Sequence, residues 1–176
     1  MASHGERRGK SGGRLLLVML CACALVAGCA HGPSPSPHPG HPETTTLTGA
    51  RKIAVGAALR EVGTPYRYGG DTPRGFDCSG LTEYALAKAG VALPRTARAQ
   101  EHSGTRIPFS RARAGDLLFY RFRSGDGDLH VGLYLGDGRI VHASSGARRV
   151  QVTHIDNAYW WRHYLTAVRV LPRRVN

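Results

Sequence analysis

The stretch RGFDCSGL, Arg74 to Leu81, decides how the rest of the chain is read, because it holds Cys78. Asp77 is a residue type that caps helices. Behind it Leu81, Tyr84, Ala85 and Ala89 recur at helical spacing, with Gly90 beyond them. This pattern predicts a helix from Cys78 to about Ala89, with Asp77 as N-cap and Cys78 in the first turn. Unpaired amides and the positive dipole end favour a thiolate there. A thiol of pKa ~8.5 is only a few per cent ionised near neutrality, and a drop of ~2 units would raise that fraction ~25-fold. On these residues alone, an inert cysteine in line with Leu81 and Ala85 is an equal reading.

The other three cysteines, Cys21, Cys23 and Cys29, crowd the N-terminus. Arg7, Arg8, Lys10 and Arg14 precede an apolar run from Leu15 to Gly28. As a helix this run would be ~21 Å long, short of the ~30 Å hydrocarbon core. A basic segment, a short apolar segment and small residues before a break describe an export signal. Its end, VAGCA, resembles the lipobox of bacterial lipoproteins, with Val26 where leucine is commoner. The resemblance implies that Cys29 is lipidated and becomes the first residue of the mature chain. Ala30 is not the aspartate of inner-membrane retention, so the expected location is the outer membrane, facing the periplasm. An ordinary cleaved signal or an uncleaved anchor is the alternative.

Cys78 is then unpaired in an oxidising compartment, where paired cysteines are usual, so it is either buried and inert or kept for reaction. Residues 31 to 46, HGPSPSPHPGHPETTT, alternate proline with polar residues and have nothing to bury. They read as a semi-rigid tether, and His31, His38 and His41 as solvated linker residues rather than a metal tail. The expected organisation is a signal peptide over 1–28, a lipidated Pro-rich tether over 29–49 and one folded domain over 50–176. The formal charge is +12, and +9 once four basic groups and one acid leave with the signal. Such a charge attracts anions, and in this compartment lipid head groups and cell-wall carboxylates fit better than nucleic acid.

Residues 50 to 63, ARKIAVGAALREVG, predict a first helix closed by Gly63, followed by a loop to Phe76. After LPRTARAQEHSG the chain turns strand-like: GDLLFY, HVGLYLGDG, RIVHAS, RRVQVTH and LTAVRVL. Helices first and strands later indicate α+β, with the helices packed on an antiparallel sheet.

His130 and His142 lie on two of these strands, joined by LGDGR. A two-residue turn at Asp137-Gly138 would place them on opposite faces. A three-residue turn, Gly136-Asp137-Gly138, pairs Gly132 with His142 and makes the histidines diagonal neighbours on one face. That turn needs a left-handed residue at its end, which Gly138 supplies.

PYRYGG, GFDCSGL, LPRT, GDLLFY, HVGLYLGDG and IVHAS, in this order, resemble the NlpC-type cell-wall peptidases over about residues 50 to 171. The resemblance implies a papain-like cysteine endopeptidase that cuts peptidoglycan stem peptides, needs no cofactor and works as a monomer. Carried over by position, Cys78 is the nucleophile, His130 its base, and His142 the residue that orients His130. Tyr66 would help hold the oxyanion beside the Cys78 amide. Asp77 and Ser79 are candidate substrate contacts, with helix capping the alternative for Asp77. Arg95 and Arg98 are either contacts for a stem carboxylate or solvated surface residues, the latter favoured. Two competitors remain: a non-catalytic wall-binding protein on the same fold, and a zinc site made from the cysteine and two histidines.

Overall fold

The computed structural model of the protein describes residues 49–122 and 129–171. The chain opens with helix α1 (Gly49–Arg60), then a two-stranded ribbon, β1 (Asp71–Thr72) and β2 (Gly75–Phe76). Helices α2 (Cys78–Lys88) and α3 (Ala97–Glu101) follow, then strands β3 (Thr105–Ile107), β4 (Leu117–Arg121), β5 (Leu129–Gly136), β6 (Arg139–Ser144) and β7 (Arg149–His154). Helix α4 (Ala158–His163) leads into β8 (Tyr164–Arg169). The six long strands make one antiparallel sheet in the order β3-β8-β4-β5-β6-β7. The expected helices and strands are all present. The ribbon, α3, β3 and α4 were not expected, being too short to show a period.

Alternation along the strands sends side chains to two cores. Leu117, Phe119, Val131, Leu133, Val141 and Val168 pack with Ala54 and Ala58 of α1 and Leu81, Ala85 and Leu86 of α2. Leu118, Tyr120, Tyr134, Ile140 and Ala167 pack instead with Phe109, Ile155 and Trp160. Of the expected buried face of α2, Leu81 and Ala85 are fully buried, whereas Tyr84 and Ala89 are only partly covered. Leu86 takes the remaining place, because the helix meets the sheet over a stripe wider than one residue row.

A buried ion cluster ties the chain's beginning to its end. Asp116, with no exposed surface, receives Arg51 Nη1 of α1 at 3.0 Å and Arg169 Nε and Nη2 of β8 at 3.0 and 2.7 Å. Its carboxylate also accepts the Arg113 backbone N–H at 2.8 Å, and Arg51 donates to Ala114 O at 2.7 Å. Removing one partner of such a cluster strands charge away from water. Asp116→Ala should therefore destabilise the domain by about 3–5 kcal/mol, measured as a lower urea midpoint; an unchanged midpoint would show the cluster to be idle.

Candidate active site

The nucleophile position is built from close backbone approach. Asp77 is the N-cap of α2, its carboxylate accepting the Gly80 N–H at 2.7 Å. The Asp77 N–H reaches Gly70 O at 2.9 Å, so the loop before the ribbon lies hard against the first turn of α2. A Cβ on Gly80 would overlap Gly70 O, and one on Gly70 would overlap Gly75 O. These glycines let Cys78 sit where it does. The backbone amides of Val131, Ser79 and Cys78 lie where they favour charge on its sulfur. Val131 is the chain neighbour of His130, and Cys78, His130 and His142 all line one cleft of about 1130 Å³.

The two histidines share a face, and their rings are hydrogen-bonded, His130 Nε2 to His142 Nδ1 at 2.7 Å. The register is the expected one, with Leu133 opposite Val141, but the turn is not. Gly136 pairs with Arg139, so the loop is the two-residue Asp137-Gly138 turn, with φ of 50° and 64°. A bulge between Tyr134 and Gly136 inserts the extra residue that restores the pairing. The three-residue turn is thus corrected: a short left-handed turn fits the strand twist, and the bulge supplies the shift.

Electrostatics oppose the thiolate expected from the helix position. Burial raises the Cys78 thiol above its ordinary value; the Asp77 charge adds to this, while the three backbone N–H groups work against it. Desolvation wins. Burial likewise lowers His130 to about 4 and His142 to about 3, the latter also through its His130 neighbour. The resting site therefore holds a neutral thiol beside neutral imidazoles near pH 7, not an ion pair.

Tyr66 is held by its backbone N–H on Arg148 O at 2.9 Å and by a bridge to Phe76. Tyr66 lines the cleft, and its phenol is raised above the ordinary value by burial first, then by Cys78, Asp77 and Tyr68. It stays protonated and able to donate. Asp77 and Ser79 also line the cleft, but their polar atoms are engaged with protein. Arg95 grips Asp77 through both oxygens at 2.9 and 2.6 Å, bonds Ser79 Oγ at 3.0 Å and reaches Gly70 O at 3.2 Å. Arg95 is thus a clamp rather than the solvated arginine favoured from sequence. Arg98 lines the cleft as well.

The sequence reading missed three residues. His142 Nε2 meets Thr153 Oγ1 of β7 at 3.0 Å, and Gln151 Nε2 donates to the same hydroxyl at 3.2 Å. Trp160 of α4 closes the far side, edge-on to His142 with centroids 5.6 Å apart. The signal for Thr153 and Gln151 was the alternation of RRVQVTH, usable only once β7 is known to pair with β6. Nothing local marked Trp160.

Three comparisons bear on this geometry. The model of the NlpC/P60 family matches residues 63–169. Murein DD-endopeptidase MepH of Escherichia coli K12 is 36% identical over 85% of this chain, and probable endopeptidase NlpC of the same strain 34% identical over 89%. The chain spans 55% of MepH and 99% of NlpC. Among solved structures, RipD of Mycobacterium tuberculosis, described as a non-catalytic NlpC/p60 domain protein adapted to peptidoglycan binding, superposes with a TM-score of 0.60 at 29% identity. That match covers 71% of this chain and all of RipD. The fold is the papain-like α+β arrangement of these domains.

The lowered histidines give a solution signature. Both imidazoles should stay neutral down to about pH 5 and take up protons only near 4 and 3. An unfolded histidine titrates near ~6.5, so the unfolded chain binds protons first as pH falls. Stability should be fully present above ~6.5 and decline as pH drops from there toward 4. Ring NMR titration together with urea midpoints at pH 7 and 5 would check this. Titration of both rings near 6.5 would contradict the burial.

Proposed function

We propose that this chain, which belongs to the NlpC/P60 family, is a peptidoglycan endopeptidase acting through an acyl-enzyme on Cys78. The observation that carries the reading is the set in one cleft: Cys78 at the start of α2, His130 facing the same cleft from β5, and His142 bonded to His130 at 2.7 Å.

The chemistry follows from the neutral resting pair. The Cys78 thiol gives its proton to the His130 ring nitrogen not engaged with His142, and the sulfur forms a bond to the scissile carbonyl carbon. The carbonyl oxygen takes the electron pair and is held by the Cys78 backbone N–H and the Tyr66 hydroxyl. His130 then protonates the leaving amine as the C–N bond breaks. Water enters, His130 removes its proton, and the thioester is hydrolysed to a carboxylate with the thiol restored. Because the thiol is raised and the imidazole lowered, transfer in the free enzyme is uphill. Charge separates only when substrate supplies an oxyanion that the site can stabilise.

Stem peptides of peptidoglycan are the proposed substrate, a reading supported by the murein endopeptidase name of MepH. In this reading Asp77 and Ser79 reach the substrate through the Arg95-clamped wall they form with Gly70. The zinc reading is disfavoured by the donors themselves, since facing nitrogens of His130 and His142 are taken by each other. The non-catalytic reading keeps one support, the likeness to RipD. It would leave the Cys78–His130–His142 set without a purpose.

We also propose that the mature protein begins at a lipidated Cys29 and that residues 29–49 tether the domain, as a monomer, to the outer membrane. The apolar run and residues 29–48 lie outside the described residues, while Gly49 already opens α1. Support comes from the basic start, the short apolar run and the VAGCA stretch. Extended over residues 31 to 46, the tether gives a reach of ~50 Å.

Purified sacculi digested with wild-type protein should release muropeptides that mass spectrometry identifies. Cys78→Ala should abolish release while staying folded, and a chelator should change nothing. Among relay variants, His130→Ala should lose nearly all activity, and His142→Asn or His142→Gln should retain more than His142→Ala, because an amide still accepts the His130 N–H. Release by Cys78→Ala at the wild-type rate would sink the peptidase reading. For the anchor, Cys29→Ser should incorporate no labelled palmitate; incorporation would contradict the assignment.

A further inference from the structure

We infer that Thr153 is a positioning residue whose hydroxyl, by accepting from His142 Nε2, holds the histidine relay in its productive direction. The inference rests on the proposed Cys78–His130 peptidase pair.

Each ring in the relay has one proton and two nitrogens, so a chain of two imidazoles can point either way. His130 can act as base toward Cys78 only if its other nitrogen, Nε2, carries the proton. The 2.7 Å bond then requires His142 Nδ1 to be bare and to accept. His142 must in consequence carry its proton on Nε2, which faces Thr153 Oγ1 at 3.0 Å. The hydroxyl oxygen has two lone pairs. One takes the Gln151 Nε2–H at 3.2 Å and the other takes the His142 Nε2–H, with the hydroxyl's own proton turned away from the ring. In the reverse arrangement His130 would present an N–H to the thiol and could not take its proton.

A hydroxyl suits this position because it is neutral. The ionisable groups that line the cleft with His142 include Cys78 of α2, His130 of β5, Tyr66, Arg98 and Tyr159 of α4. The ribbon side adds Asp77, itself clamped by Arg95, while β7 and α4 present Gln151, Thr153 and Trp160, none of which titrates. His163 lies further out, its ring centroid 5.0 Å from that of Phe122, which in turn packs on His130. Thr153 therefore sets orientation without adding a charge that would hold an imidazolium at rest.

Thr153→Val keeps the branched shape of a strand residue and removes only the hydroxyl. It should lower kcat by about tenfold, the rate equivalent of one net hydrogen bond, with KM unchanged. Thr153→Ser should restore most of kcat. Thr153→Asp should move the acid limb of the pH profile upward, since a carboxylate beside His142 Nε2 favours the imidazolium. Ring nitrogen NMR on the wild type should find His142 protonated at Nε2 and bare at Nδ1, and Thr153→Val should mix the two tautomers. A wild-type His142 protonated at Nδ1 would overturn the inference, as would Thr153→Val with wild-type kcat and tautomer. The NMR measurement needs no turnover. If the wild-type protein cleaves nothing, the peptidase reading fails while the relay direction is still decided.

Discussion

The site depends on the packing of one backbone turn against another at Gly70 and Gly80. Neither position has room for a side-chain carbon, since each would collide with a carbonyl across the gap. This contact fixes the first turn of α2 against the loop that carries Tyr66. Asp77 and Arg95 then lock it: one carboxylate caps the helix, accepts the Gly69 N–H at 3.0 Å and receives both arms of the guanidinium. The sulfur is placed by main chain and a part-buried ion pair, with Cys78 itself packed against the edge of the core. The opposite half of the site is equally stiff, because His130 and His142 project from neighbouring strands of a six-stranded sheet. The helix start that carries Cys78 and the strands that carry His130 and His142 therefore meet at one cleft.

The price of that rigidity is desolvation. A helix N-terminus offers at most a partial charge, while removing a thiolate from water is a larger effect of opposite sign. The carboxylate capping the helix also repels a thiolate, and Arg95 is the counterweight that limits this repulsion. The outcome is a quiet resting thiol. Oxidants react with the thiolate, so a protonated sulfur is less exposed to them.

Much of this was legible in the sequence wherever the governing interaction is local. The Asp77 cap, the extent of α2 and the strand alternation are short-range, and all appear as read. The common face of His130 and His142 was readable too, since pairing parity follows from counting residues. The turn was not, because a two-residue loop plus a bulge and a three-residue loop shift the count equally. Arg95 and Asp116 were opaque for another reason: their partners lie 18 and more than 50 residues away. Arginines in an overall basic sequence look solvated until the fold brings a carboxylate to them. The thiol shift failed similarly, since burial depth is a property of the assembled sheet and not of the helix start.

The choice of a second histidine in the relay becomes intelligible from the surroundings of residue 142. Its side chain is 3% exposed, edge-on to Trp160 and bonded to His130 and to a threonine hydroxyl. A carboxylate placed there would need compensation for its lost hydration, and the position provides only neutral neighbours apart from His130. It would draw a proton onto His130 at rest, and the base would then be occupied before substrate arrived. A neutral imidazole accepts the same hydrogen bond without imposing that charge. It also passes the directional demand on to the next residue, because an imidazole that accepts on one nitrogen must donate from the other. An uncharged relay therefore has to end on an acceptor, and in this fold the pairing of β6 with β7 puts the Thr153 hydroxyl at that end.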